Sequence, residues 1–415
     1  MIKNRPQFQG LNVTFNTTED CNLACKYCYE INKCKKSLDF EKAKRFIDFL
    51  IDDNDPLGIK GSPQEEKGLH LYKSGLVVDF IGGDSLMNVQ LVDKIMQYLM
   101  YRLYTAKTEN AFYWKNHWRM SISTNGTLFS RPEVRSFCEK YQRNLCLGVS
   151  IDGSKELHDL NRVFPDGRGS MDSILENWEW YKKTFPYDSQ STKATLARAS
   201  IPYLYDSLVF MHEKLGLKYI NQNFIMEDTE CDENDYKELD KQLKKCVEYC
   251  LSHKDEIYWS MIDKTQFADH HRSEGSDWEN EGRCGSGCMP ALSVDGKIYP
   301  CFRWLPHTQK ENSEEMLVGD TEKGFYNKEA FEKVRIGSIR ANCTKDEECR
   351  TCEYESACSY CIGGCFAEFN DFVRTTHICE ITKLQCKWAK VYWNEYNKSQ
   401  GKPLDYPEEF LLDSI

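Results

Sequence analysis

The sequence predicts an α/β protein in which six strand–helix units precede a loop-rich C-terminal third. Apolar runs of strand length recur six times over roughly the first 225 residues, with helically spaced segments between them. This alternation is typical of parallel βαβ units. From Cys284 onward the periodic pattern gives way to closely spaced cysteines. We therefore expect an α/β core followed by a second region of a different kind.

Each predicted strand that carries chemistry ends in a polar or glycine-rich tail. Functional residues of parallel α/β barrels gather at the carboxyl ends of the strands, so these tails mark a candidate site. The tails are the cysteine loop, GGD, STNG and SIDG. We predict strands over residues 11–16, 76–81, 119–123, 145–150, 195–201 and 219–224, and helices over 37–51 (capped by Ser37), 91–104, 170–183, around 207–215 and 232–256. The Gly/Pro- and charge-rich stretch 52–74 is expected to be a surface loop.

Bulk properties narrow the classes of function. A chain of 415 residues and 48.6 kDa should hold two or three domains. Its formal charge of −11 argues against a general nucleic-acid partner, and no apolar run is long enough to span a membrane. Twenty cysteines behind a polar N-terminal segment favour metal ligands in the reducing cytoplasm over disulfides.

Three cysteines follow the first predicted strand with spacings that suit an iron–sulfur cluster. Three residues separate Cys21 from Cys25, and two separate Cys25 from Cys28. A structural zinc site normally takes four ligands in paired spacings, whereas three thiolates on one loop leave one iron of a 4Fe–4S cluster open. The alternative is three buried or disulfide-bonded cysteines. The strand-then-loop context favours the cluster.

This spacing, with Tyr27 at the aromatic position, resembles the signature of the radical S-adenosylmethionine (SAM) superfamily. The resemblance implies a partial (β/α)6 TIM barrel over residues 1–230 and a bridging helical region over 231–283. It also implies a cluster on Cys21, Cys25 and Cys28 that binds SAM and cleaves it reductively to a 5′-deoxyadenosyl radical. An external one-electron reductant of the flavodoxin or ferredoxin type would supply the electron.

The strand tails resemble the cofactor contacts of that family. Gly82-Gly83-Asp84 stands where the family has Gly-Gly-Glu, which meets the methionyl ammonium, and Asp is one methylene shorter than Glu. The alternative to a cofactor contact is a turn formed by the two glycines and followed by a solvent-exposed Asp. The SIDG…HD…R block resembles the family's contacts to ribose and carboxylate, for which a guanidinium is well suited. By this resemblance the residues expected at SAM are Tyr27, Gly82, Gly83, Asp84, Ser123, Asn125, Ser150 and Arg162.

The C-terminal cysteines resemble the SPASM extension of radical SAM maturases, which binds two auxiliary 4Fe–4S clusters. This domain would cover residues 284–415 and end in a helix. This resemblance implies that the first auxiliary cluster is bound by Cys284, Cys301 and Cys365, with Cys288 as fourth ligand. It implies that the second is bound by Cys349, Cys352, Cys361 and Cys379. Cys358 rivals Cys361, Cys386 rivals Cys379, and a structural zinc ribbon is the alternative for the whole region.

Enzymes with this extension mostly modify peptides or proteins. The CGxG…DGKIYPC…GGC arrangement looks closest to maturases that form cysteine thioethers in ribosomally made precursor peptides carrying a leader. The other hypotheses are a different radical outcome (C–C crosslinking, epimerisation or formylglycine formation) and a non-enzymatic, metal-dependent peptide-binding module. Cys34, near the loop, is a candidate hydrogen-atom donor.

Overall fold

The core of the protein is a mostly parallel sheet built by six of its strands. The computed structural model describes residues 10–31, 35–60, 71–185, 191–226, 230–269, 284–309 and 313–415. Cys34 and the middle of the 52–74 stretch lie outside these residues. The strands are β1 (Leu11–Thr18), β2 (Leu76–Gly82), β3 (Trp118–Thr124), β4 (Leu145–Ser150), β5 (Ser191–Leu196), β6 (Tyr219–Ile220), β7 (Gln222–Phe224), β8 (Tyr258–Trp259), β9 (Ala291–Leu292), β10 (Lys297–Tyr299) and β11 (Gly319–Asp320).

The main sheet has the order β11-β10-β9-β1-β2-β3-β4-β5-β7. The pairs from β1 through β5 to β7 are all parallel. Parallel neighbours place their carboxyl ends at the same edge, so the predicted tails converge. The α/β class and the six-strand core are confirmed.

Helices connect these strands and cover one face of the sheet. The α-helices span Phe40–Asp52, Leu71–Ser74, Val89–Thr105, Glu109–Trp114, Pro132–Tyr141, Lys155–Asn161, Met171–Leu175, Trp178–Thr184, Leu204–Val209, Glu233–Ser252, Lys328–Gly337, Arg340–Cys343, Glu347–Thr351, Ile362–Phe369 and Cys379–Ser399. None of the helices in the described part of the chain combines the length and apolar character needed to cross a membrane.

Two predicted element boundaries were wrong for local reasons. The cap of the first helix is Asp39, whose carboxylate accepts hydrogen bonds from the backbone N–H groups of Glu41 and Lys42, at 2.9 and 3.3 Å. Ser37 instead bridges to Thr18 at the end of β1. The fifth strand ends at Leu196, and a 3-10 turn over Arg198–Tyr203 follows it. The Ser200 hydroxyl accepts from the Ala197 N–H at 3.0 Å and so starts that turn.

The two faces of the parallel sheet differ in character. On one face Phe15 of β1 packs on Phe80 of β2 and on Phe46 of the first helix, with ring centroids 5.5 and 5.3 Å apart. The alternate residues point the other way and are half-buried, as for Asp79 and Ser121, which are paired across β2 and β3. We call this second, polar face the lumen face.

The C-terminal third is joined to the same sheet. Strand β9 pairs in parallel with β1 on the side opposite β2, and β10 and β11 extend it antiparallel. A separate small core, centred on Tyr299, Trp304 and Phe366, lies beneath these strands. The helix Cys379–Ser399 returns to the helix Glu233–Ser252, where the Trp388 indole donates to Asp240 at 2.8 Å. The division at residues 230 and 283 stays a prediction.

Candidate functional site

The cysteine loop follows the carboxyl end of β1, and its backbone N–H groups bind carbonyl groups of residues 161–163. The N–H of Ala24 donates to the Val163 carbonyl at 2.8 Å, and the N–H of Lys26 to the Asn161 carbonyl at 3.0 Å. Cys21, Cys25 and Cys28 are half-buried, and none of the cysteines that the structure describes forms a disulfide bond. The disulfide alternative therefore finds no support among the described residues.

The glycine pair after β2 makes room for the start of this loop. The Gly83 N–H donates to the Thr18 carbonyl at 2.9 Å, and the Asp84 N–H to the Asp20 carbonyl at 3.0 Å. A Cβ on Gly82 would lie 1.8 Å from the Thr18 carbonyl oxygen, and one on Gly83 would lie 2.1 Å from that of Asp20. Gly82 also has a φ of +137°, which disfavours any side chain. Both glycines are needed to bring the β2 tail against the cysteine loop.

Asp84 uses its carboxylate to join two strand tails. It is buried and accepts from the Thr124 hydroxyl and the Asn125 N–H, both at 2.8 Å, and from the Leu86 N–H at 3.0 Å. Burial raises its pKa, and the hydrogen bonds from Asn125 and Thr124 oppose that rise. These contacts make Asp84 a positioning group between the ends of β2 and β3. Its expected contact with the cofactor stays a prediction.

The β3 tail reaches the first cysteine directly. The Asn125 side-chain amide donates to Asn22 Oδ1 at 2.8 Å and lies 3.8 Å from Cys21 Sγ. Asn125 Oδ1 in turn accepts from the Thr127 N–H at 3.0 Å. Ser123, two residues before Asn125, accepts a hydrogen bond from Lys193 Nζ at 2.6 Å. Asn125 therefore fixes the Cys21 end of the loop.

The β4 tail holds the other end of the loop through a buried acid. Asp152 accepts from the Tyr27 hydroxyl and, at 3.0 Å, from Arg162 Nε. The guanidinium of Arg162 also lies over the Tyr27 ring, 5.3 Å from its centroid. Sequence reasoning did not single out Asp152 as the link between Tyr27 and Arg162. Ser150 is half-buried on the lumen face at the end of β4.

His158 supports this arrangement from behind. Its Nδ1 accepts from the Asp152 N–H at 3.4 Å and its Nε2 lies 3.0 Å from the Ser170 hydroxyl, which donates to the Arg162 carbonyl. Burial lowers the pKa of His158 to about 4. The imidazole is therefore neutral at physiological pH, and its hydrogen bonds hold Asp152 and Ser170 in place.

A histidine from the C-terminal third contacts both sides of the cysteine loop, which sequence reasoning missed. His307 is buried, with Nδ1 3.5 Å from Glu19 Oε1 and Nε2 3.8 Å from Glu30 Oε1. Its carbonyl accepts from the Ile31 N–H at 2.8 Å. The only sequence signal was an acidic residue two positions outside each terminal cysteine of the loop.

Cys361 lies beside Cys284 and Cys301 in the C-terminal third. Burial raises the pKa of Cys284 and of Cys301 to about 12, and the nearby Cys361 thiolate adds to both shifts. The Ser286 N–H and hydroxyl approach the sulfurs of Cys284 and Cys301, both at 3.4 Å, and the Gly364 N–H approaches that of Cys361 at 3.4 Å. Such donors commonly surround cluster thiolates.

Cys288 has a different environment from this trio. Burial raises its pKa, and the Arg335 guanidinium, which is hydrogen-bonded to the thiol, opposes the rise. Cys365 lies on the next turn of the helix after Cys361 and faces Cys361 and Cys343. Cys288 therefore contacts Arg335 rather than the group formed by Cys284, Cys301 and Cys361.

A second group of cysteines lines one cavity of about 470 Å³. Its walls include Cys349, Cys352, Cys358 and Cys379 together with Arg374 and Lys383. Cys361, which the sequence placed in this set, lies instead with Cys284 and Cys301, because it caps the helix Ile362–Phe369 on the other side. Cys358 ends the preceding turn and faces Cys379 and Cys349. Cys358, the alternative to Cys361 in the predicted ligand set, therefore lies in this group, and its role as a ligand stays a prediction.

Neither group is compact enough for a single ion. Among the described residues, no three or more His, Cys, Asp or Glu side chains could hold one metal ion together. A 4Fe–4S cluster spreads four thiolates around a cube and needs a wider, all-sulfur pocket. The four cysteines around the cavity fit that requirement by donor type.

Parts of the chain are similar in sequence to known proteins. No family model matches the chain. It is 26% identical to an uncharacterised protein of Methanocaldococcus jannaschii over 201 residues, 48% of this chain and 58% of that protein. It is 24% identical to a cysteine-type anaerobic sulfatase-maturating enzyme of Clostridium novyi over 165 residues, 39% of this chain and 37% of that enzyme. The chain thus covers less than two thirds of the length of these relatives.

Solved structures match over nearly the whole chain. The enzyme anSMEcpe with bound AdoMet superposes with a TM-score of 0.64 at 17% identity, covering 91% of this chain and 96% of that one. Streptococcus suis SuiB bound to S-adenosylmethionine superposes with a TM-score of 0.56 at 14% identity, covering 89% and 77%. The chain therefore has the fold of these two S-adenosylmethionine-bound proteins, and the predicted resemblance is confirmed.

Proposed function

We propose that this protein is a radical SAM enzyme that modifies a ribosomally made peptide. The observation that carries the proposal is the convergence of the tails of β2, β3 and β4 on one loop that carries three cysteines. Bound there, a 4Fe–4S cluster and SAM would supply a 5′-deoxyadenosyl radical that abstracts hydrogen from the substrate. The protein's own task is to place these groups and enclose them.

The residues around the loop have distinct roles in this proposal. Cys21, Cys25 and Cys28 would ligate the cluster and leave one iron open. Tyr27, Gly82, Gly83, Ser123, Asn125, Ser150 and Arg162 would surround SAM. Asp84 and Asp152 position these residues, since their carboxylates already accept several hydrogen bonds within the protein.

For the C-terminal third we propose two auxiliary clusters with a revised ligand set. The first would use Cys284, Cys301 and Cys361, with Cys365 close by. The second would use Cys349, Cys352, Cys358 and Cys379. With Cys288 beside Arg335, Cys365 is the candidate for the fourth ligand of the first auxiliary cluster, since it lies close to Cys361.

The product we propose is a cysteine thioether in a precursor peptide that carries a leader. A structural neighbour, SuiB, was solved bound to its precursor peptide SuiA, with a TM-score of 0.55 at 14% identity. This supports a substrate of the same kind. An external one-electron reductant of the flavodoxin or ferredoxin type would be the second partner, and the cytoplasm the compartment.

Formylglycine formation is the second candidate function, and a specific observation favours it. A cysteine-type sulfatase-maturating enzyme of Clostridium perfringens is 22% identical over 361 residues, covering 83% of this chain and 85% of that enzyme. The neighbour anSMEcpe was also solved with a cysteine peptide bound, at a TM-score of 0.65 and 16% identity.

One anaerobic assay distinguishes the two. The reconstituted enzyme is incubated with SAM, dithionite and either a sulfatase-derived peptide or a cysteine-containing precursor peptide. A thioether lowers the peptide mass by two hydrogens, keeps the sulfur and removes the thiol. Formylglycine made from cysteine loses the sulfur and leaves an aldehyde that a hydrazine probe captures. Failure to form any 5′-deoxyadenosine would exclude both functions.

A further inference from the structure

The lumen face of the sheet carries an unusual set of charges. Among the residues of the six parallel strands, the charged ones are Asp79, Arg119 and Lys193. All three alternate with buried residues such as Val78, Met120 and Ala194, so all three lie on the lumen face. Charges inside a fold are costly unless they are paired or used. Their sharing one face indicates a use.

These side chains reach one another across three strands. Lys193 Nζ donates to Ser123 Oγ at 2.6 Å, so its side chain crosses β4 to reach β3. It does so over Gly148, where an added Cβ would lie 3.6 Å from Lys193 Cε. Asp79 feels the charges of Lys193 and Arg119 and a hydrogen bond from Ser121, all of which oppose the rise in its pKa caused by burial. The group thus forms one charged network with hydroxyls around it.

The charged network runs from Asp79, below the carboxyl end of the sheet, to Lys193, which is paired with Ser150 at that end. Asp79 precedes Gly82 by three residues, which is about 10 Å along a strand. Tyr29, beside Cys28, also feels the charge of Asp79, and the guanidinium of Arg303 lies 5.0 Å from its ring centroid. The charged network therefore faces the space just beyond the cysteine loop.

The charges of the strand residues do not balance. Two cations, Arg119 and Lys193, accompany one carboxylate, Asp79, among the charged residues of these strands. A surface with more cations than carboxylates and with hydroxyl groups around them is complementary to a carboxylate.

We propose that the lumen face binds a carboxylate of the substrate, so that the enzyme prefers peptides with an aspartate or glutamate close to the modified residue. This inference rests on the proposed function, since it names the class of peptide that the barrel accepts. Lys193 and Arg119 would bind this carboxylate through their cationic groups. The chemistry is shared with the carboxylate of SAM, so the test must separate the two sources.

The test uses two synthetic peptide libraries. Each contains one cysteine among neutral residues and one fixed position at several spacings from the cysteine. That position is aspartate in one library and asparagine in the other. Binding to the reconstituted enzyme with SAM is measured by fluorescence polarisation, and 5′-deoxyadenosine formation is measured in parallel over a range of SAM concentrations. The proteins are wild type, Lys193→Met, Arg119→Met and the surface control Lys241→Met.

We expect the wild type and Lys241→Met to bind the aspartate library roughly tenfold more tightly, the size of one charged hydrogen bond. Lys193→Met and Arg119→Met should lose this preference while keeping their secondary structure by circular dichroism. Equal binding of both libraries by the wild type would overturn the inference. So would an increased SAM requirement in Lys193→Met with the aspartate preference intact, since the cations would then serve the cofactor.

The outcomes separate this inference from the proposed function. A wild type that binds aspartate peptides selectively but forms no 5′-deoxyadenosine overturns the function and supports the lumen site. A wild type that forms 5′-deoxyadenosine but shows no preference supports the function and overturns the lumen site.

Discussion

The cysteine loop at β1 and the cysteines of the C-terminal third are built on opposite principles. The first loop follows β1 of a regular parallel sheet, and hydrogen bonds from the tails of β2, β3 and β4 hold its backbone and side chains in place. The C-terminal cysteines lie among short helices and turns around a small core. A region with so little regular structure is typically stabilised by the metal it binds.

Under the proposed function, cysteines would serve chemistry in the first loop and folding in the C-terminal third. Loss of a cysteine from the first loop should remove activity and leave the fold. Loss of a cysteine from the second cavity should remove structure as well. Each prediction below tests that contrast, beginning with the largest expected effect.

Cys25→Ala should reduce 5′-deoxyadenosine formation to background, because two remaining thiolates on the loop cannot hold the cluster in place. The thermal unfolding midpoint should stay within a few degrees of wild type, since the loop backbone is held by Ala24 and Lys26. Chromatography of the reaction and differential scanning fluorimetry measure both. Cys231→Ala, outside both cysteine groups, is the control, and retained turnover in Cys25→Ala would contradict the prediction.

Cys358→Ala should lose one auxiliary cluster, lowering iron from about twelve to about eight atoms per chain. Hydrogen exchange should speed up around the cavity lined by Cys349, Cys352 and Cys379. Cys361→Ala should spare that cavity and disturb the environment of Cys284 and Cys301 instead. If Cys361→Ala exposes the cavity and Cys358→Ala does not, the revised ligand set is wrong.

His307→Ala should destabilise the protein by about 2 kcal/mol, because the mutation removes a buried imidazole that contacts Asn16 and lies between the carboxylates of Glu19 and Glu30. Anaerobic urea unfolding measures this cost. The electron paramagnetic resonance signal of the reduced first cluster should change too, since His307 contacts both sides of the loop. His377→Ala is the matched control: its imidazole also pairs with a carboxylate, 2.6 Å from Glu368 on the helix Ile362–Phe369, and an equal spectral change there would refute a special role for His307.

The smallest expected effect concerns pH. His158 has a pKa of about 4 in the folded protein against 6.5 ordinarily, so the unfolded chain binds more protons between these values. Stability should therefore fall as pH drops through this window, by about 1 kcal/mol between pH 7.5 and 5.5. His158→Gln should flatten that part of the urea-unfolding profile. A profile unchanged by the substitution would show that His158 does not carry it.

Local sequence patterns were enough to predict the barrel and its first loop. The period of two in Leu11, Val13 and Phe15 identified β1, and the polar tails identified the edge where the site lies. Such features depend on residues close together in the chain, and a parallel sheet then brings the strand ends to one edge regardless of loop detail.

Tertiary structure alone decided the rest. Which cysteines face one another depends on where the helix after Cys361 begins, and spacing permitted both Cys358 and Cys361. The contacts of His307 with Glu19 and Glu30 join positions nearly three hundred residues apart. The need for Gly82 and Gly83 comes from the approach of β1's tail. Each of these is set by packing between distant segments, which no local periodicity records.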